Sequence, residues 1–111
     1  MRRKLMTDIW IKKYQKQALS RLKEEFNPEK IIIFGSRVKG SPKKDSDIDI
    51  IVISSRFANI SFLKRMPLIL KKVPFPKHID YICYTPEEFI RIKNESSLIM
   101  DALENSIEIT P

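Results

Sequence analysis

The chain has 111 residues, with 21 Lys and Arg against 14 Asp and Glu, and a formal net charge of +7. A 42% apolar and 9% aromatic content can build one modest core, which argues against a disordered chain. Two glycines exclude a collagen-like repeat, and no apolar run approaches the roughly 18 residues that span a bilayer.

In chain order, the basic opening Met1–Met6 is followed by Asp8, Lys12 and Lys13, so it does not read as a secretory leader. A cytoplasmic protein is expected, with a single domain over residues 1–111. Thr7 is a candidate cap, and Ile11, Tyr14, Ala18, Leu22 and Phe26 recur at helical steps, predicting one amphipathic helix over residues 8–26. Asn27-Pro28 ends it. Ile31-Ile32-Ile33-Phe34 predicts a short strand buried on both faces. After Gly35-Ser36, a polar stretch with Gly40, Pro42, Lys43, Lys44 and Asp45 reads as a loop or short helical turn before a second strand, Ile48 to Ile53.

Phe62, Leu63, Met66, Ile69, Leu70 and Val73 keep helical spacing within residues 59–73, although Pro67 should kink or split that helix. Pro74-Phe75-Pro76 is a rigid connector to a third strand, Ile79 to Tyr84. The lone Cys83 within it permits no internal disulfide and reads as a core thiol, and the lone His78 has no companions for a zinc site. Thr85-Pro86-Glu87-Glu88 is a capping box with Pro at the first helical position, predicting a helix through about Lys93. A last helix over Ser97 to Glu104 leads through Asn105 to Ile107-Glu108-Ile109, a candidate edge strand. The alternation predicts a small α/β or α+β sheet domain.

Charge is uneven along the chain: residues 1–30 carry +5, residues 31–77 carry +7 and residues 78–111 carry −5. A basic body suits phosphate-bearing partners such as a nucleotide, RNA or DNA, although scattered Lys and Arg also make an ordinary solvated surface.

The informative pattern is Gly35-Ser36 followed after ten residues by Asp47-Ile48-Asp49. On a strand, Asp47 and Asp49 share a face, roughly 6.5 Å apart. Asp is depleted in strands and like charges repel, so folding alone gives no reason for the pair. A divalent cation does, since hard oxygens on one face can hold Mg²⁺ and leave positions for water and phosphate, and a bridging carboxylate can hold two ions. Asp80 is the candidate third ligand. Gly35 allows a sharp turn and close ligand approach, Ser36 offers a hydroxyl to phosphate, and Arg37 or Lys39 can add charge. An EF-hand is excluded, because Ile50 and Arg56 stand where its glycine and bidentate glutamate belong. A P-loop is excluded because no Gly-Lys-Ser/Thr follows Gly35.

These residues resemble the nucleotidyltransferase superfamily typified by DNA polymerase beta. The wording Phe34-Gly35-Ser36-Arg37-Val38-Lys39-Gly40, then Ser46-Asp47-Ile48-Asp49-Ile50, then Ile79-Asp80-Tyr81 before Tyr84-Thr85-Pro86-Glu87-Glu88-Phe89, is similar to the minimal nucleotidyltransferases, many of them antitoxins. The resemblance implies a small mixed sheet flanked by helices. It also implies Asp47, Asp49 and Asp80 as catalytic metal ligands for Mg²⁺, and Gly35, Ser36 and Arg37 at the nucleotide, with ATP as substrate. It further implies a HEPN-domain RNase toxin as partner, its tyrosine receiving AMP within a hetero-complex. Asn105, where the family pattern leads one to expect glycine, can adopt the same left-handed turn.

Two other functions compete. One is a binding module that neutralises a toxin by covering it, through the helix bearing Pro67 or the acidic C-terminal segment. The other is an enzyme with an RNA or small-molecule acceptor, or a nucleic-acid binder. The last ranks low because stacking aromatics are few and Trp10 lies on a helix that needs its apolar face.

Overall fold

The computed structural model describes residues 8–40 and 46–109. Two helices, α1 (Ile9–Gln17) and α2 (Leu19–Phe26), precede strand β1 (Lys30–Phe34), a single helical turn α3 (Ser36–Lys39) and strand β2 (Ile48–Ile53). A 3₁₀ turn (Ser55–Asn59) and helix α4 (Phe62–Lys72) lead to strand β3 (Ile79–Tyr84). Helices α5 (Pro86–Ile92) and α6 (Ser97–Glu104) and strand β4 (Ile107–Ile109) complete the chain. The sheet order is β3-β2-β1-β4, with β2 and β3 parallel and the other two pairs antiparallel. This is the mixed sheet of an α+β fold, with β4 as the expected edge strand.

Strand alternation divides the core in two. Ile31, Ile33, Ile48, Ile50, Val52, Ile79, Tyr81 and Cys83 face the layer that includes Ile11, Tyr14, Leu22, Phe26 and Ile69. Ile32, Ile51 and Ile53 face Phe89 of α5 and Ile99 of α6 on the other side. The β-branched runs of β1 and β2 are thus apolar throughout because both faces are covered. Cys83 is buried, and burial pushes its thiol up to about 12, which fits an inert core residue.

Several local expectations change. The predicted helix over residues 8–26 is two helices meeting at Ala18 (φ −120°, ψ −25°). No breaker occupies that position, and Ala18 is buried against the core, so tertiary packing sets the bend. The candidate cap Thr7 lies outside the described residues; the cap is Asp8, whose Oδ1 accepts from the backbone N–H of Trp10 and Ile11. Pro67 does not split α4. The carbonyl it leaves without a helical donor belongs to Leu63, a residue 84% exposed, where water can serve instead. Asn105 keeps a negative φ of −127°, and the left-handed helix ends among the described residues are Asn27 (φ 44°) and Gly40 (φ 84°). The capping box of Thr85 and Glu88 forms as expected.

Arg65, which carries no sequence signal, ties three consecutive elements of the C-terminal half together. It is 4% exposed and donates from Nη1 and Nη2 to Glu88 at 2.6 and 3.1 Å. It also donates to the carbonyls of Cys83 and Ile60, joining α4, β3 and the start of α5. The guanidinium beside it holds the Glu88 carboxyl below its ordinary range. Arg65→Met should therefore cost about 2–3 kcal/mol in urea unfolding at pH 7, because it strands the Glu88 carboxylate and a buried carbonyl. As Glu88 is bound more weakly by protons when folded, its contribution is present above its unfolded pKa and fades on acidification through its folded one. The gap between the variant and the natural protein should narrow below about pH 4; a loss that is constant with pH would contradict this.

Candidate active site

The site lies where β1 ends and β2 and β3 begin. Phe34 pairs with Asp49 on one side and Asp49 with Asp80 on the other. Two carboxylates thus sit on adjacent parallel strands, on the same face, with backbones about 4.8 Å apart. That face carries α5 and α6 further along, over Ile51, Ile53 and Ile32. Asp49 is half-buried and Asp80 exposed, so the acidic end opens to solvent. Asp47 is also exposed and stands just before β2, which begins at Ile48.

Burial and the nearby charges of Asp80 and then Asp47 push the Asp49 carboxyl up from 3.8 to about 6. The three predicted carboxylates therefore lie close enough for two of them to act on the charge of the third. Among the described residues, no three His, Cys, Asp or Glu side chains already close around one point. Mutual repulsion opposes such closure without a cation. As a set of hard oxygen donors with excess negative charge they fit a divalent ion, which would relieve the strain on Asp49. No ion pair joins Asp80 to Lys77 among the described residues, so charge pairing with that neighbour does not account for Asp80.

Gly35 is the wall behind Asp49. Its φ of +91° is a conformation that L side chains rarely adopt, and a Cβ there would overlap Oδ2 of Asp49. The glycine is required twice, by the turn and by the carboxylate it accommodates. Its carbonyl accepts from the N–H groups of Val38 and Lys39, which closes α3 and leaves Ser36 at the first position of that turn.

Arg37, expected at the nucleotide, turns inward instead. It is 7% exposed, pairs with Asp8 at 3.0 Å, and donates from Nε to the Ser46 carbonyl at 2.8 Å. The guanidinium is thus buried and paired within the protein. Lys39 remains exposed beside the turn. Residues 41–45, including the basic pair Lys43-Lys44, lie outside the described residues.

Comparison with known proteins identifies the family of the chain. The nucleotidyltransferase domain family matches residues 15–109, which contain Gly35-Ser36 and all three aspartates. The chain belongs to that family, whose domains generally use a nucleoside triphosphate and a divalent metal. A crystal structure of a provisionally assigned nucleotidyltransferase from Sulfolobus solfataricus superposes with a TM-score of 0.58 at 24% identity, covering 86% of this chain and 76% of that one. It establishes likeness of fold. The BolA domain of SufE1 from Arabidopsis thaliana aligns over 63% of this chain and 88% of its own at 18% identity, with a TM-score of 0.45, too partial to bear on function. No curated protein matches the sequence significantly. No helix among the described residues is long and apolar enough to cross a membrane.

The raised carboxyl gives a stability signature. Because the folded protein holds the Asp49 proton more tightly than the unfolded chain, ionised Asp49 subtracts stability above about pH 6 and stops doing so as the pH falls toward 4. Asp49→Asn keeps the shape and removes the charge. In metal-free buffer at pH 8 it should stabilise the protein by about 1–2 kcal/mol, after discounting for partial exposure. Urea unfolding in chelator should show that gain shrinking by pH 5; a gain that does not vary with pH would rule out this account.

Proposed function

We propose that the chain is a metal-dependent nucleotidyltransferase that moves AMP from ATP to a tyrosine hydroxyl of a HEPN-type toxin, and so acts as the antitoxin of the pair. Support comes from one observation above the rest: Asp49 lodged against Gly35, beside Asp80 and near Asp47, at the mouth of the sheet. The resemblance of the sequence to minimal nucleotidyltransferases supplies the acceptor and the partner.

In this reading Asp47, Asp49 and Asp80 hold Mg²⁺, expected as two ions, and Gly35 with Ser36 grips the triphosphate. The bound ions would contribute positive charge at the attacking and leaving oxygens of an in-line displacement. A bond forms from the acceptor oxygen to the α-phosphorus, the bond to the β-phosphate oxygen breaks, and pyrophosphate leaves. Asp80, the more exposed of the two strand aspartates, takes the hydroxyl proton. Arg37 keeps its buried contacts and leaves phosphate charge to the loop amides, Ser36 and Lys39.

Incubating the protein with ATP, Mg²⁺ and a co-expressed HEPN partner should add one or more AMP units to the partner by intact mass. Asp47→Asn, Asp49→Asn and Asp80→Asn should each lower the transfer rate at least about 100-fold while remaining folded. Transfer that persists in all three would end the assignment of the carboxylates.

A second reading has its own support. Phe62 and Leu63 at the start of α4 are 51% and 84% exposed, an apolar pair suited to a partner surface. If the Asp47→Asn/Asp49→Asn double variant still binds and silences the toxin without nucleotide, covering the toxin suffices. If the complex persists but silencing is lost, catalysis is required.

A further inference from the structure

We infer that Arg37 is a positioning residue for the carboxylate platform, a role that rests on the nucleotidyltransferase reading of the site. Three segments meet at its guanidinium. Arg37 itself follows Ser36 on the phosphate side of the site. Its Nε donates to the carbonyl of Ser46, the residue directly before Asp47, at 2.8 Å. Its Nη1 donates to Oδ2 of Asp8 at 3.0 Å, while Oδ1 of the same carboxylate caps α1 through Trp10 and Ile11 at 2.9 and 3.0 Å.

The need for such a clamp comes from where Asp47 stands. Asp49 and Asp80 lie within strands, and the register of β1, β2 and β3 fixes them. Asp47 precedes β2 and has no place in that register, and like charge opposes its standing beside Asp49. The Arg37–Ser46 bond anchors the backbone one residue upstream, so Asp47 stays beside its partners and at a set distance from Gly35-Ser36. Burial makes the anchor stiff: the side chains of Arg37 and Asp8 are 6% and 9% exposed. Only a planar fork with separate donors can serve the Ser46 carbonyl and the Asp8 carboxylate together; a lysine keeps the charge and loses the fork.

The test uses Mn²⁺ as the probe, its binding followed by the paramagnetic resonance of free ion in the presence of a non-hydrolysable ATP analogue, alongside thermal unfolding. Arg37→Lys should weaken Mn²⁺ binding about 10-fold or more, the tenfold step of 1.4 kcal/mol expected from misplacing one ligand. Leu22→Ala, a cavity in the core remote from the site, should lower the unfolding midpoint at least as much and leave Mn²⁺ affinity unchanged. If Arg37→Lys fails to fold, Asp8→Asn/Arg37→Met, which removes both buried charges together, replaces it with the same two measurements. Natural-level Mn²⁺ affinity in the folded Arg37 variant overturns the inference. So does an equal loss in Leu22→Ala, which would make the effect one of stability alone. Failure of the natural protein to bind Mn²⁺ with nucleotide overturns the nucleotidyltransferase reading itself, a different result from the other two.

Discussion

The candidate site is organised around one carboxylate, Asp49, whose ionisation burial and two neighbouring charges oppose. Asp49 occupies the middle strand of the acidic end, flanked by Phe34 and Asp80, with Gly35 where any other residue would collide with its oxygen. A side chain for which burial and two like charges all disfavour ionisation has no structural reason to be there. Such groups mark functional sites because the ligand, not the apo fold, completes their electrostatics. The rest of the architecture holds that carboxylate in place despite its repulsion.

The opposing stability comes from the strands themselves. Ile31, Ile32 and Ile33 of β1 and Ile48, Ile50, Ile51, Val52 and Ile53 of β2 are all buried. Each such side chain contributes about 1.5–3 kcal/mol when fully buried, so the apolar bodies of these strands can tolerate acids at one end. Covering both faces, with α1, α2 and α4 on one side and α5 and α6 on the other, makes this possible in a chain of 111 residues. The open end beyond α5 and α6 is the part the helices leave free.

Two buried arginines play parallel roles as crosslinks between elements. Arg65 joins α4 to β3 and to the capping box of α5, and Arg37 joins α3 to the approach of β2 and to the cap of α1. In a protein with excess positive charge these guanidinium groups do not belong to the basic surface. They work as hydrogen-bonded crosslinks, which is why net charge alone said little about their purpose.

The amino-acid sequence by itself determined the strands, the capping box and which residues are candidates for the site. The strand runs, the Thr85–Glu88 capping box and the spacing from Gly35-Ser36 to Asp47 and Asp49 are local patterns, and local stereochemistry enforces them. Only the tertiary structure decided which charges meet. That Asp80 lies opposite Asp49 depends on the register of two strands separated by α4. That Arg37 reaches Asp8 depends on α1 packing across the sheet. The bend at Ala18 and the unbroken course of α4 through Pro67 have the same origin. Burial and solvent access at those points outweigh local propensity, and both are properties of the assembled fold.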